Sequence, residues 1–150
     1  RQGSPKWQPN SDPSHGRLWL RQAEADWKAA CVLLSQASIE ASVFCHVCFF
    51  AYEAVSKAVR GGLMAVCGLR ERGGVQENLI HQAMALEAEV PQLRGCIVQC
   101  AEVLVNYETS TRFPHPGQQA PALLFTADHA RVAGKHAGTV LQAVKDAIRN

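Results

Sequence analysis

Cysteine, histidine and arginine are the side chains whose grouping in this sequence invites chemistry. Cys45-His46-Val47-Cys48, joined by Cys96 and Cys100, offers four thiolates of the kind that hold zinc. Zinc sites favour Cys-x-x-Cys on a turn that aims both sulfurs at one ion. Here the pairs fall at i,i+3 and i,i+4 within helical patterns, on faces that read as core. Small apolar thiols filling a helix interface are therefore expected, and no metal. Six histidines (His15, His46, His81, His115, His129 and His136) are dispersed and form no His-Glu-x-x-His pattern. Neither Gly-x-Ser-x-Gly nor Gly-x-x-x-x-Gly-Lys-Ser/Thr occurs, so hydrolase and Walker-type chemistry have no support. The glycine-rich stretch Gly68 to Gly74 lacks phosphate-loop spacing and reads as an interhelical loop. The most distinctive segment is Asn106-Tyr107-Glu108-Thr109-Ser110-Thr111-Arg112-Phe113-Pro114. It places Arg112 at a helix exit. There a guanidinium either satisfies orphan carbonyls and the helix dipole or presents its fork of donors to phosphate.

Several functional classes are excluded by composition and charge. The 150 residues, 47% of them apolar, suit one domain with its own core, without staples and without wholesale disorder. No uncharged apolar run reaches about 18 residues, so no membrane span is expected. Arg1 to Gly16 lacks the apolar run of a signal peptide, which points to a cytoplasmic protein whose six cysteines are reduced and mostly buried. A net charge of only +2 argues against a generic nucleic-acid binder. That figure conceals an asymmetry. Gln76 to Glu108 holds five acids against Arg94 alone, while the remainder holds 14 bases against 8 acids. Such polarity suits a local anion pocket or an oriented partner, against the plainer reading of scattered solvated charges.

Five helices are needed to position these residues. Residues 1–12, with Gly3, Pro5 and Pro9, read as a flexible lead-in, and residues 13–150 as the domain. The chain begins with Arg, which is expected of a piece of something longer. A first helix opens at Asp12-Pro13 or Ser14 and carries an apolar stripe of Leu20, Ala23, Trp27, Ala30, Cys31 and Leu34. A second runs from about Ala41 to Cys67, contacted on several sides, with Phe44, Cys48, Ala51, Tyr52, Val55, Val59, Leu63 and Val66 at helical spacing. Gly61-Gly62 inside it costs about 1 kcal/mol per glycine relative to alanine, which is expected where a neighbouring backbone packs close. A third covers about Val75 to Glu89. A fourth begins at Pro91 and continues to Ser110–Arg112, and a loop follows to Phe125. Thr126 caps a fifth, whose buried stripe is Ala130, Ala133, Ala137, Val140, Leu141, Val144 and Ile148. No run alternates with period two. The expectation is an all-α, five-helix, single-domain fold.

Four segments, in order, carry a family likeness. They are Trp27-Lys28-Ala29-Ala30 in the first helix, Phe44 to Leu63 with Phe49, Ala51, Glu53, Ala54, Lys57 and Ala58, then Asn78-Leu79-Ile80-His81, and the Tyr107 to Pro114 exit. Together they resemble the HEPN (higher eukaryotes and prokaryotes nucleotide-binding) domain family. The likeness spans roughly Arg17 to Asn150, and within the family it is greatest to domains of large, modular, chaperone-associated proteins. It implies an up-and-down five-helix bundle, a homodimer, and a basic cleft for nucleotides or other polyanions. A bound nucleotide (GTP or ATP), a second copy and other domains of a larger chain are the implied partners, with no required cofactor and no nucleic acid. Lys57 and Arg112 carry over by position. The charge pattern adds Lys28 and Arg60. Tyr107 or Phe113 offers a ring for a base, or equally for core or interface, and His115 lies near Arg112 in sequence. Many family members are ribonucleases using Arg, four to six residues, then His. Arg112 and His115 are too close for this. Arg131 and His136 splay across the last helix, and Gly138 stands where a Tyr often follows. No enzyme activity is expected.

Overall fold

A computed structural model describes residues 13–36, 40–68 and 78–149. The expected lead-in 1–12 and most of the glycine-rich loop (69–77) lie outside the described residues. Among those described there is no strand, and the architecture is an all-α bundle.

The first helix, α1, spans Pro13–Gln36, and α2 spans Phe44–Cys67 after a 3-10 turn at Ala41–Val43. Glu40 starts that turn by accepting from the Ser42 backbone N–H at 3.1 Å. Gly68 ends α2 with φ 59°, a left-handed stop that glycine adopts without strain, and its N–H bonds the Met64 carbonyl. Helix α3 (Leu79–Glu89) is capped by the Asn78 side chain, which accepts from the His81 N–H at 2.9 Å.

The expected fourth helix is in pieces. Pro91–Leu93 forms a 3-10 turn, Gly95 takes φ 78°, and then come α4 (Ile97–Leu104) and a one-turn α5 (Tyr107–Ser110). The break is stabilised from outside. The Glu87 carboxylate on α3 accepts from the backbone N–H of Val98 at 2.6 Å and of Gly95 at 3.0 Å, satisfying donors at the start of α4. The loop after Phe113 also contains a one-turn helix, α6 (Pro121–Leu124), that periodicity does not signal. Helix α7 (Ala127–Ile148) begins at Thr126 as expected. The cap is a reciprocal box in which Thr126 Oγ1 accepts from the His129 N–H, and His129 Nδ1 accepts from the Thr126 N–H.

Helix α2 is the axis of the bundle. Fourteen of its residues are buried, most of them Ala, Gly, Val or Cys, and small side chains let α1 and α7 approach closely. A Cβ on Gly16 would sit 2.5 Å from the Gly61 carbonyl oxygen, and one on Gly61 would sit 2.6 Å from that of Gly16. The α1–α2 crossing is thus backbone against backbone, as the paired glycines suggest. Leu63, Leu86, Ile97, Leu104, Val140 and Val144 fill the centre, each contributing about 1.5–3 kcal/mol of hydrophobic stabilisation. The stretch Ala41–Cys67, although interrupted by Glu53, Lys57 and Arg60, is long and apolar enough to cross a membrane, by length and composition. More than half of its apolar window is buried by the other helices. Its apolar character is that of a core helix.

The cysteine expectation holds for half of the set. Cys45, Cys48 and Cys100 are buried and Cys96 is half-buried, but Cys31 and Cys67 are exposed. Val66, expected in the apolar stripe of α2, is likewise exposed.

Candidate functional site

Arg112 leaves the bundle at the end of α5. Its Nε donates to the Glu108 carbonyl at 2.6 Å, so the side chain closes a helix end. The rest of the guanidinium lies 4.9 Å from the centroid of the Phe49 ring on α2 and 5.0 Å from that of Phe113. Phe49 is half-buried, Phe113 is exposed, and Phe49 also touches Phe50. A cation held against two partly open rings presents phosphate-binding donors next to flat apolar surface. His115 lies three residues further along the chain, exposed on the loop.

Tyr107 is turned elsewhere. Its half-buried ring packs edge-on against Phe125 at 5.5 Å, and Phe125 in turn meets His129. Burial raises the pKa of its hydroxyl. Nearby Tyr52 is pushed up to about 12, first by burial and then by the Glu108 carboxylate. Both phenols are neutral at physiological pH.

Lys57 is engaged with two carboxylates. Its Nζ lies 2.5 Å from Asp26 Oδ2 on α1 and 3.1 Å from Glu53 Oε2 one turn earlier on α2. Asp26 is buried and also accepts from Gln22 Nε2 at 3.1 Å. Burial works against the lysine's charge, but the two carboxylates outweigh it and raise the Lys57 pKa. Arg60, one turn further along, holds its guanidinium 4.9 Å from the Trp19 ring of α1. Phe49, Glu53, Ser56 and Arg60 follow one another at four, three and four residues. They form the half-open stripe of α2, with Arg112 at one end and Arg60 at the other. Lys28 is exposed on α1, where its charge helps lower the Glu24 pKa after the stronger effect of Lys145.

The two residues of the possible ribonuclease pair face different neighbours. Arg131 is exposed and pairs with Asp128 in the first turn of α7. His136 places Nδ1 3.3 Å from Cys100 Sγ on α4. That thiol is pushed up to about 11 by burial and by Cys96, and Cys48 is pushed up to about 12, mainly by burial. Neither is a thiolate at neutral pH, which fits core packing. No cluster of three potential metal ligands occurs among the described residues.

Two concavities flank the seam of α1 and α7. One, of about 600 Å³, is a shallow groove over Gly134, Gly138 and Thr139, beside Trp27. The Trp27 indole N–H donates to the Gly134 carbonyl at 3.1 Å, and its ring covers Gly138. The other, of about 310 Å³, lies between Arg17, Arg21, Lys145 and Arg149. Sequence reasoning missed Trp19, Asp26 and the meeting of these four cations. The repeats Arg17/Arg21 and Lys145/Arg149 at i,i+4 are visible in the sequence, but their convergence depends on α1 lying against α7.

The sequence profile of the HEPN domain family matches residues 17–147. Among solved structures, TT1696 from Thermus thermophilus superposes with a TM-score of 0.70 at 26% identity, over 88% of this chain and 97% of that one. No curated protein matches the chain.

Proposed function

The chain belongs to the HEPN domain family, and from that premise we propose that it is a non-catalytic module that binds nucleotides or other polyanions and pairs with a second copy. The observation that carries this reading is Arg112, held by the Glu108 carbonyl against the Phe49 and Phe113 rings. Its outward N–H groups are suited to phosphate oxygens, while the rings offer a surface on which a base could stack. Arg60 on Trp19 repeats the cation-on-ring arrangement further along the same side of α2. Lys28 and His115, both exposed, are the further cationic candidates. Lys57 contributes by holding α1 to α2 beneath them, whereas Tyr107 packs on Phe125 away from Arg112. The divergence of Arg131 from His136 supports the absence of ribonuclease activity. We further propose, from a likeness of the four segments named above to the C-terminal HEPN domain of sacsin, a place within a large, cytoplasmic, chaperone-associated chain.

A second reading is an interaction module without a physiological nucleotide. It is favoured by the exposed Phe113, Leu123 and Leu124 between α5 and α7. Calorimetric titration with GTP and with ATP at low salt separates the two. The nucleotide reading expects heat with at least one of them, weakening as salt rises. In Arg112→Ala, whose fold is checked by circular dichroism because the side chain also closes a helix end, affinity falls about tenfold. Absence of heat with folded protein overturns the nucleotide reading and leaves the second.

A further inference from the structure

The crevice of about 310 Å³ at the open end of the α1–α7 seam is built differently from the Arg112 face. Arg17 and Arg21 stand one turn apart on α1, and Lys145 and Arg149 one turn apart on α7. Each pair spans about 6 Å along its helix, so the cations form two rows rather than a point. Between the rows lies an apolar floor of Leu20 and Ile148. The same crevice holds one carboxylate, that of Glu24, which accepts from Lys145 Nζ at 3.1 Å.

Local structural needs account for only part of this charge. Lys145 is matched by Glu24, and Arg149 lies 3.7 Å from Asp146 in an exposed ion pair of little energy. The negative end of α7 favours cations in its last turn, but the positive end of α1 lies alongside and offsets it. Arg17 and Arg21 therefore add charge that neither helix end requires.

The shape selects among anions. A compact polyphosphate needs donors converging on one point, and here it would meet the Glu24 carboxylate in the wall. That carboxylate stays ionised, because Lys145 lowers its pKa. Among the described residues no aromatic ring lines the crevice for a base. An extended ligand with separate single charges on either side of an apolar group matches both rows and the floor. We infer that this crevice docks an acidic peptide segment, with glutamate or aspartate side chains along the Arg17/Arg21 and Lys145/Arg149 rows and an aliphatic side chain on Leu20 and Ile148.

The probe is a short fluorescein-labelled peptide in which two pairs of glutamates flank a leucine, followed by fluorescence anisotropy at low salt. Anisotropy is expected to rise with the wild-type chain. In the double variant Arg21→Glu/Arg149→Glu, affinity should fall at least about tenfold, the typical consequence of reversing charges across a complementary surface. Both side chains are exposed, and circular dichroism checks that the helices persist. Arg112→Ala should bind the peptide like wild type, which keeps this site separate from the nucleotide reading. The inference is overturned if wild type does not bind, if the double variant binds equally, or if a glutamine-for-glutamate peptide binds as well. Displacement by tripolyphosphate at lower concentration than by unlabelled peptide would also overturn it, in favour of a phosphate site.

Discussion

Asp26 is a carboxylate with little access to water, held by Lys57 and Gln22. A buried charge is tolerable only while its partners remain, so the α1–α2 contact depends on this group. Asp26→Ala should destabilise the fold by about 2 kcal/mol, since it leaves the half-buried Lys57 with Glu53 alone. Urea denaturation measures this. The double replacement Asp26→Leu/Lys57→Met should recover most of the loss, because it removes both charges together. An Asp26→Ala variant as stable as wild type would leave Lys57 available for a ligand instead. At this scale the sequence is legible in kind but not in partnership. Lys57 reads as a cation on an apolar helix, whereas the carboxylate that engages it lies 31 residues earlier on another helix. Arg112 is the counterexample. Its helix-end role follows from the local order Thr-Arg-Phe-Pro, and only Phe49 had to come from afar.

Helices α1, α2 and α7 could be read from caps and periodicity because their signals are local. Pro13, Gly68 and Thr126 stand at their boundaries. The region 91–110 could not be read this way, because its interruption relies on Glu87 reaching across from α3 to Gly95 and Val98. Apolar spacing continues through the turn while the backbone does not. Gly61 is a case where the local cost has a tertiary reason. Alanine would improve helix propensity by about 1 kcal/mol, yet its Cβ would lie 2.6 Å from the Gly16 carbonyl oxygen. Backbone cannot yield as a side-chain tip can. Gly61→Ala should therefore lower stability by about 1–3 kcal/mol on chemical denaturation, as overpacked cores do. A stabilised Gly61→Ala variant would mean that α1 moves away from α2 freely.

For the molecule as a whole, the exposed apolar side chains Phe113 and Leu123 suggest where a second copy would sit. Light scattering at micromolar concentration should give twice the chain mass. Phe113→Asp, at a position exposed in the single chain, should return the mass to that of one copy. Monomeric wild type would overturn the pairing. The seam between α1 and α7 has a temporal consequence too. Trp27 meets Gly134, and Glu24 meets Lys145 across 121 residues of sequence. The hairpin of α1 on α2 can close once Cys67 has been made, but that seam must wait for almost the last residues of the domain. The cationic crevice lies on the seam, so Arg17 and Arg21 acquire their counterparts only when synthesis of the domain is nearly done. A ligand that reads both rows distinguishes the fully folded domain from a partly made one.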